Sequence, residues 1–196
     1  MTVNWHLISD PAVYSQHRLD NIKTLEGERP LSYLDSKNIP SIGIGFNLRS
    51  NNVRQEVFVA MGLDVTRLSD PAQIATEQSY INQLVSEISK PYASNQVTLL
   101  RSRLNAIMAQ RATDPVLASQ AHIAGRTTFE MRTNEIQLAF NAVVPSFETT
   151  VDTWLAGIPQ SNERLALVSL AYNNLVGVDS QGNFKSPKLK DAIICW

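Results

Sequence analysis

The strongest constraint on the fold is a break in helical rhythm over residues 25–46. On both sides of it apolar residues recur at spacings of three and four, the period of amphipathic helices. Inside it, Gly27, Pro30, Gly43 and Gly45 punctuate a run that alternates every second residue. The expected class is therefore α+β, mainly α, with a small β-hairpin among helices. Asp10 followed by Pro11 starts a helix, because Asp caps free amides and Pro tolerates the first helical position. That helix runs to about Glu26, which continues the stripe of Leu19 and Ile22. A carboxyl placed there is expected to be half desolvated, which favours the protonated form that a proton donor needs.

Gly27 ends this helix and Pro30 forbids its return. Alternation sets Leu31, Tyr33 and Asp35 on one side of a first strand. A Ser36-Lys37-Asn38 turn leads into a second strand, Ser41 to Phe46. Its Ile42, Ile44 and Phe46 share one face, and Ser41, Gly43 and Gly45 share the other, where a bulky ligand could approach the backbone. Two carboxylates flanking a groove suit glycoside hydrolysis, in which one protonates the leaving oxygen and the other handles water or positive charge. On their own, two acids nine positions apart are equally well a solvated Glu and a turn Asp.

The whole arrangement resembles the phage-type lysozymes, the muramidases of glycoside hydrolase family 24. Their catalytic run reads Glu-Gly at a helix end, then Tyr-x-Asp, then Thr followed by Ile-Gly-Ile-Gly. The matching residues are Glu26-Gly27, Tyr33-Leu34-Asp35 and Ser41-Ile42-Gly43-Ile44-Gly45, at the same spacings. The resemblance implies a lysozyme-like two-lobed domain over residues 1–196, with a small β-hairpin lobe and a larger helical lobe. In it Glu26 would be the general acid, Asp35 the carboxylate that orients or activates water, and Ser41 the hydroxyl that helps hold that water. Tyr33, Gly43 and Gly45 would meet the substrate, and no cofactor or metal is implied. Ser in place of Thr keeps the oxygen but loses the methyl that restricts its rotamer.

Length and composition bound the rest. With 196 residues, 43% of them hydrophobic, the chain can bury a core without staples, and the lone Cys195 forms no internal bridge. A formal charge of −1 argues against nucleic acid, and Lys185, Lys188 and Lys190 read as a solvated face that could still meet an anionic wall polymer. No apolar run approaches the roughly 18 residues of a membrane span. The start, Met1 to His6, lacks the pattern of a secretory signal, so a peptidoglycan-directed protein made in the cytoplasm would reach the wall through a membrane lesion, a phage tail or a secretion machine.

Along the chain, Trp5 and Leu7 are expected to fold back onto the first helix. Val53, Val57 and Met61 mark a helix ending near Gly62. Asp70-Pro71 starts another that runs to Lys90, a further one covers about Ser94 to Gln110, and a short one runs from Asp114-Pro115 to Gly125. Residues 68–130 are thus read as a helical insertion that could dock a partner, unmatched in phage-type lysozymes. Thr133 is expected to cap the next helix, with Ile136, Phe140, Val143 and Val144 buried until Pro145 kinks or breaks it. The stripe resumes at Phe147, Val151, Trp154 and Leu155. A helix from Asn162, apolar nearly all round, should be the central one of the larger lobe. At its end Asn173 and Asn174 are candidate substrate contacts, although a cap or turn is the plainer reading. Phe184-Lys185-Ser186 resembles the family's turn into its next helix. Ile193-Ile194-Cys195-Trp196 reads as the middle of a buried helix, as in a chain truncated or completed by something else.

Other chemistries find no foothold. His6, His17 and His122 have no metal-ligand spacing, and no phosphate loop, Ser-His-Asp set or internal repeat stands out. The leading expectation is hydrolysis of the β-1,4 bond between N-acetylmuramic acid and N-acetylglucosamine in peptidoglycan, inverting by resemblance. A lytic transglycosylase, a non-catalytic peptidoglycan-binding module and a helical interaction domain are the alternatives.

Overall fold

The computed structural model describes residues 5–173, 175 and 186. Asn174, Phe184, Lys185, Lys188, Lys190 and the terminal Ile193 to Trp196 therefore lie outside the described residues. In chain order the elements are α1 (Pro11–Glu26), β1 (Arg29–Leu34), β2 (Pro40–Gly43), β3 (Phe46–Asn47), α2 (Asn51–Ala60), α3 (Pro71–Ser89), α4 (Val97–Thr113), α5 (Ala121–Ala124), α6 (Thr133–Trp154) and α7 (Asn162–Tyr172). The fold is mainly helical with one three-stranded antiparallel sheet, ordered β1-β2-β3. No helix among the described residues is long and apolar enough to cross a membrane. Two compact units result, one of the residues up to Glu26 together with those from Phe140 on, the other of Gly27–Ala139.

In the first unit, Asp10 Oδ1 accepts the Ala12 amide at 2.7 Å, so the helix starts where the Asp-Pro pair puts it. Tyr14, Leu19 and Ile22 bury one face of α1, and Val143, Val144, Val151 and Trp154 do the same on α6. Glu148 gathers a polar knot within this apolar setting. It accepts from Tyr14 Oη and Arg18 Nη1, each at 2.9 Å, and from Arg164 Nε at 2.8 Å. Arg164 also reaches Asp152 at 2.7 Å. α7 is less apolar than expected, because Arg164 and Ser169 are buried on it with Leu165, Leu167 and Val168. Leu7 does not fold onto α1. It is 63% exposed and bridges to Ser161, where Ile8 and Asn162 close backbone hydrogen bonds to Gln160 and His6.

α6 runs through Pro145 as one helix instead of breaking there. Proline deprives the carbonyl four residues back of its partner, and that residue, Asn141, is exposed to solvent that can replace it. Nor is Thr133 the cap of α6. It is the first helical residue, and Glu135 closes the end by accepting the Arg132 amide at 2.9 Å.

In the second unit, residues 68–130 pack with the sheet. Leu84 and Ile88 of α3 and Leu100, Leu104 and Met108 of α4 form a sealed core. α4 also lies on the sheet, since Arg101 Nε donates to the Ser32 carbonyl at 2.6 Å, and Leu31 bridges to Glu130. The short helix expected from Pro115 is confined to α5, preceded by turns. Glu77 and Arg111 clamp α3 to α4. Both side chains are wholly buried, with Arg111 Nε and Nη2 each 2.7 Å from a Glu77 oxygen, and Nη2 also donates to the Gly62 carbonyl at 3.1 Å. Two parallel charge-assisted bonds offset part of the desolvation of both ions, while Arg111 Nη1 stays buried with no hydrogen-bond partner among the described residues.

Candidate active site

Glu26 is the last residue of α1. It is half-buried, beyond the sealed Leu19 and Ile22, and no side chain or amide among the described residues pairs with its carboxylate. Gly27 follows with φ 72°, and an added Cβ would meet nothing within 4 Å. Conformation, not space, therefore selects glycine there, and the helix stops with the acid at its tip.

Asp35 directly follows β1, in a five-residue loop closed by backbone bonds. Its amide donates to the Ile39 carbonyl at 3.0 Å, and the Asn38 amide donates to the Asp35 carbonyl at 2.9 Å. The carboxylate is fixed by the same loop, with Oδ1 accepting the Lys37 and Ile39 amides, both at 2.8 Å. Oδ2 makes no hydrogen bond to a described residue and is the acceptor left for a ligand. Asn38 adopts φ 59°, the left-handed conformation that Asn tolerates better than most residues.

Ser41, in β2, is 2% exposed, and its Oγ donates to the Ile39 carbonyl at 3.3 Å. Ile39 is thus the shared post: its N–H holds the Asp35 carboxylate and its carbonyl holds the Ser41 hydroxyl. Tyr33 pairs in register with Ser41, and the Arg29 guanidinium lies 4.6 Å from the Tyr33 ring centre.

The expected strand from Ser41 to Phe46 is instead a second tight hairpin. β2 ends at Gly43, Ile44 and Gly45 turn, and Phe46 pairs back with Ile42. Gly43 and Gly45 have φ 68° and 87°, so their role is to turn the chain, as positive-φ glycines do in hairpins. Gly43 offers no open face either. A Cβ there would lie 2.7 Å from the Phe46 ring.

The structure therefore gathers Tyr33, Asp35, Ser41, Gly43 and Gly45 in the sheet of one unit, whereas Glu26 and Asn173 belong to the other. Asn173 follows α7 as its cap, its amide and its Nδ2 both bonded to the Ser169 carbonyl at 3.1 Å, which matches the plainer reading. Sequence reasoning placed Asn38 in the turn without its left-handed conformation and did not single out Arg101. The turn composition of Ser36-Lys37-Asn38 carries a signal for the first, but nothing local marks the second, 69 positions from its partner. Among the described residues no group of three His, Cys, Asp or Glu could hold a metal ion.

Comparison with family models, curated proteins and solved structures finds no match to the chain.

Proposed function

We propose that this protein is a peptidoglycan hydrolase of the phage-type lysozyme kind, an N-acetylmuramidase. The observation that carries the reading is the Ile39 post, which ties an oriented carboxylate and a buried hydroxyl to one residue, in a run whose residue types and spacings resemble that family's. Glu26, a carboxyl at a helix end with no partner among the described residues, is the proton donor to the leaving glycosidic oxygen. Asp35, locked through Oδ1, keeps Oδ2 for a water, and Ser41 supplies a further oxygen to that water. A fixed acceptor costs no reorganisation as the water attacks. This division of labour, with one carboxyl as acid and the other serving water, is the inverting one.

Product analysis of purified peptidoglycan tests the reading. Hydrolysis gives new reducing muramic acid ends, with the configuration at the anomeric carbon inverted. Anhydro ends would instead mean a transglycosylase that uses Glu26 without hydrolytic water. Wall binding with no new ends of either kind would leave a non-catalytic binding module.

A further inference from the structure

A groove in the unit of residues 27–139 takes no part in this chemistry. It runs between one face of α2 and one face of α3, has a volume of about 430 Å³, and lies in the size range of roughly 300–1,000 Å³ typical of small-ligand sites. Its apolar lining includes Val59, Ile81 and Val85, all at least partly open to solvent, above a nearly sealed Phe58.

Carboxamides line it from both helices, Asn51 and Gln55 from α2, Gln78 and Asn82 from α3. Local bonds use only part of their capacity. Asn51 Oδ1 accepts from Arg54 at 2.7 Å and Asn82 Oδ1 accepts from Gln78 at 3.0 Å, which leaves both Nδ2 groups, the Gln78 oxygen and the whole Gln55 amide for a ligand. The charges in the lining are already occupied. Arg54 is bonded to Asn51 and to the Leu48 carbonyl, and Asp64 is bonded to Thr66 and paired with Arg67.

A surface that offers paired donors and acceptors, small apolar patches and no free charge suits a neutral ligand that alternates hydroxyls, amides and methyl groups. We propose that the α2/α3 groove is a second, non-catalytic site for N-acetylated glycan, with the carboxamides taking hydroxyls and acetamido groups and Val59, Ile81 and Val85 taking the acetyl methyls. The choice of polymer rests on the wall-hydrolase reading: a long strand held at this groove raises the effective concentration of its remaining bonds. An amphipathic peptide helix fits less well, because the carboxamides interrupt the apolar stripe it would need.

The test uses full-length Glu26→Gln protein, so that sugar is bound without turnover, and a tetramer of N-acetylglucosamine followed by ¹⁵N NMR. The tetramer is expected to shift the side-chain amide signals of Gln55 and Asn82. The double variant Gln55→Ala/Asn82→Ala, at two exposed positions, is expected to lose the shifts of the remaining Asn51 and Gln78 amides and to co-sediment with purified peptidoglycan about 3-fold less or lower still, with an unchanged circular dichroism spectrum and melting temperature. Groove amides that stay still while residues 33–45 shift would overturn the proposal, as would co-sedimentation unaffected by the double variant, or a response to an amphipathic peptide and none to the sugar. Groove shifts with no wall hydrolysis by the parent protein would sink the enzymatic reading and leave the site. Hydrolysis with a silent groove would do the reverse.

Discussion

The hairpin loop around Asp35 and the α3–α4 pair are held by opposite means, although both lie in the unit of residues 27–139. In the loop, each fixing bond spans four residues or fewer and most of them use backbone groups. Between α3 and α4, a bidentate ion pair in a dry setting joins residues 34 positions apart. The first arrangement orients one carboxylate and adds little to stability. The second adds rigidity but punishes the loss of either partner, because the survivor stays charged and buried.

The largest expected effect comes from breaking the clamp. Glu77→Ala should cost about 3–5 kcal/mol in chemical denaturation, since it strands Arg111. Glu77→Leu combined with Arg111→Met should recover most of that loss, because no charge is left to bury. If the single variant cost under about 1 kcal/mol, the pair would not be the clamp described.

Next is the loop. Asn38→Val forces a β-branched residue to positive φ and should cost about 1–2 kcal/mol, whereas Asn38→Gly should stay within about 0.5 kcal/mol of the parent. If the loop exists to aim Asp35, wall hydrolysis should fall in Asn38→Val by more than its melting temperature explains, and Asn38→Gly should restore it. Equal activity in both would separate the loop from the chemistry.

The smallest effect is on pH dependence in the same helical body. Burial opposes ionisation of Glu87, but hydrogen bonds from Lys90, Tyr92 and Arg103 outweigh it and hold this carboxyl below its ordinary 4.5. Its contribution is therefore present above pH 4.5 and is lost as the pH falls through the lowered value. Burial, reinforced by Glu87, pushes the Tyr92 phenol up to about 12. That contribution is complete below about pH 10 and fades as the pH rises towards 12. Glu87→Gln should flatten both slopes in melting curves, and an unchanged acid slope would show that other carboxylates set it.

The same contrast explains what was legible in the sequence. Asp10-Pro11, Gly27, Asp70-Pro71 and the apolar stripes announce α1, α3, α4 and α7 to within a few residues, because caps and periodicity are local properties. The hairpin was legible as a turn-bounded extended run. Its second strand was misread because Ile-Gly-Ile-Gly-Phe satisfies strand alternation and a glycine turn equally well, and the packing of Phe46 against Gly43 decides for the turn. Nothing local in the sequence marks Glu77 and Arg111 as a buried pair. Only the apposition of α3 and α4 buries them. The contact of α4 with the sheet is hidden for the same reason, since Arg101 reaches Ser32 across a long stretch of chain.

The role of Glu26 is tested most directly by the clearing of a suspension of purified cell walls, comparing the parent with Glu26→Gln at matched folded concentration. Loss of a general acid should slow clearing by about 10²–10⁴-fold, with wall binding retained. Clearing at the parent's rate by Glu26→Gln would contradict the account.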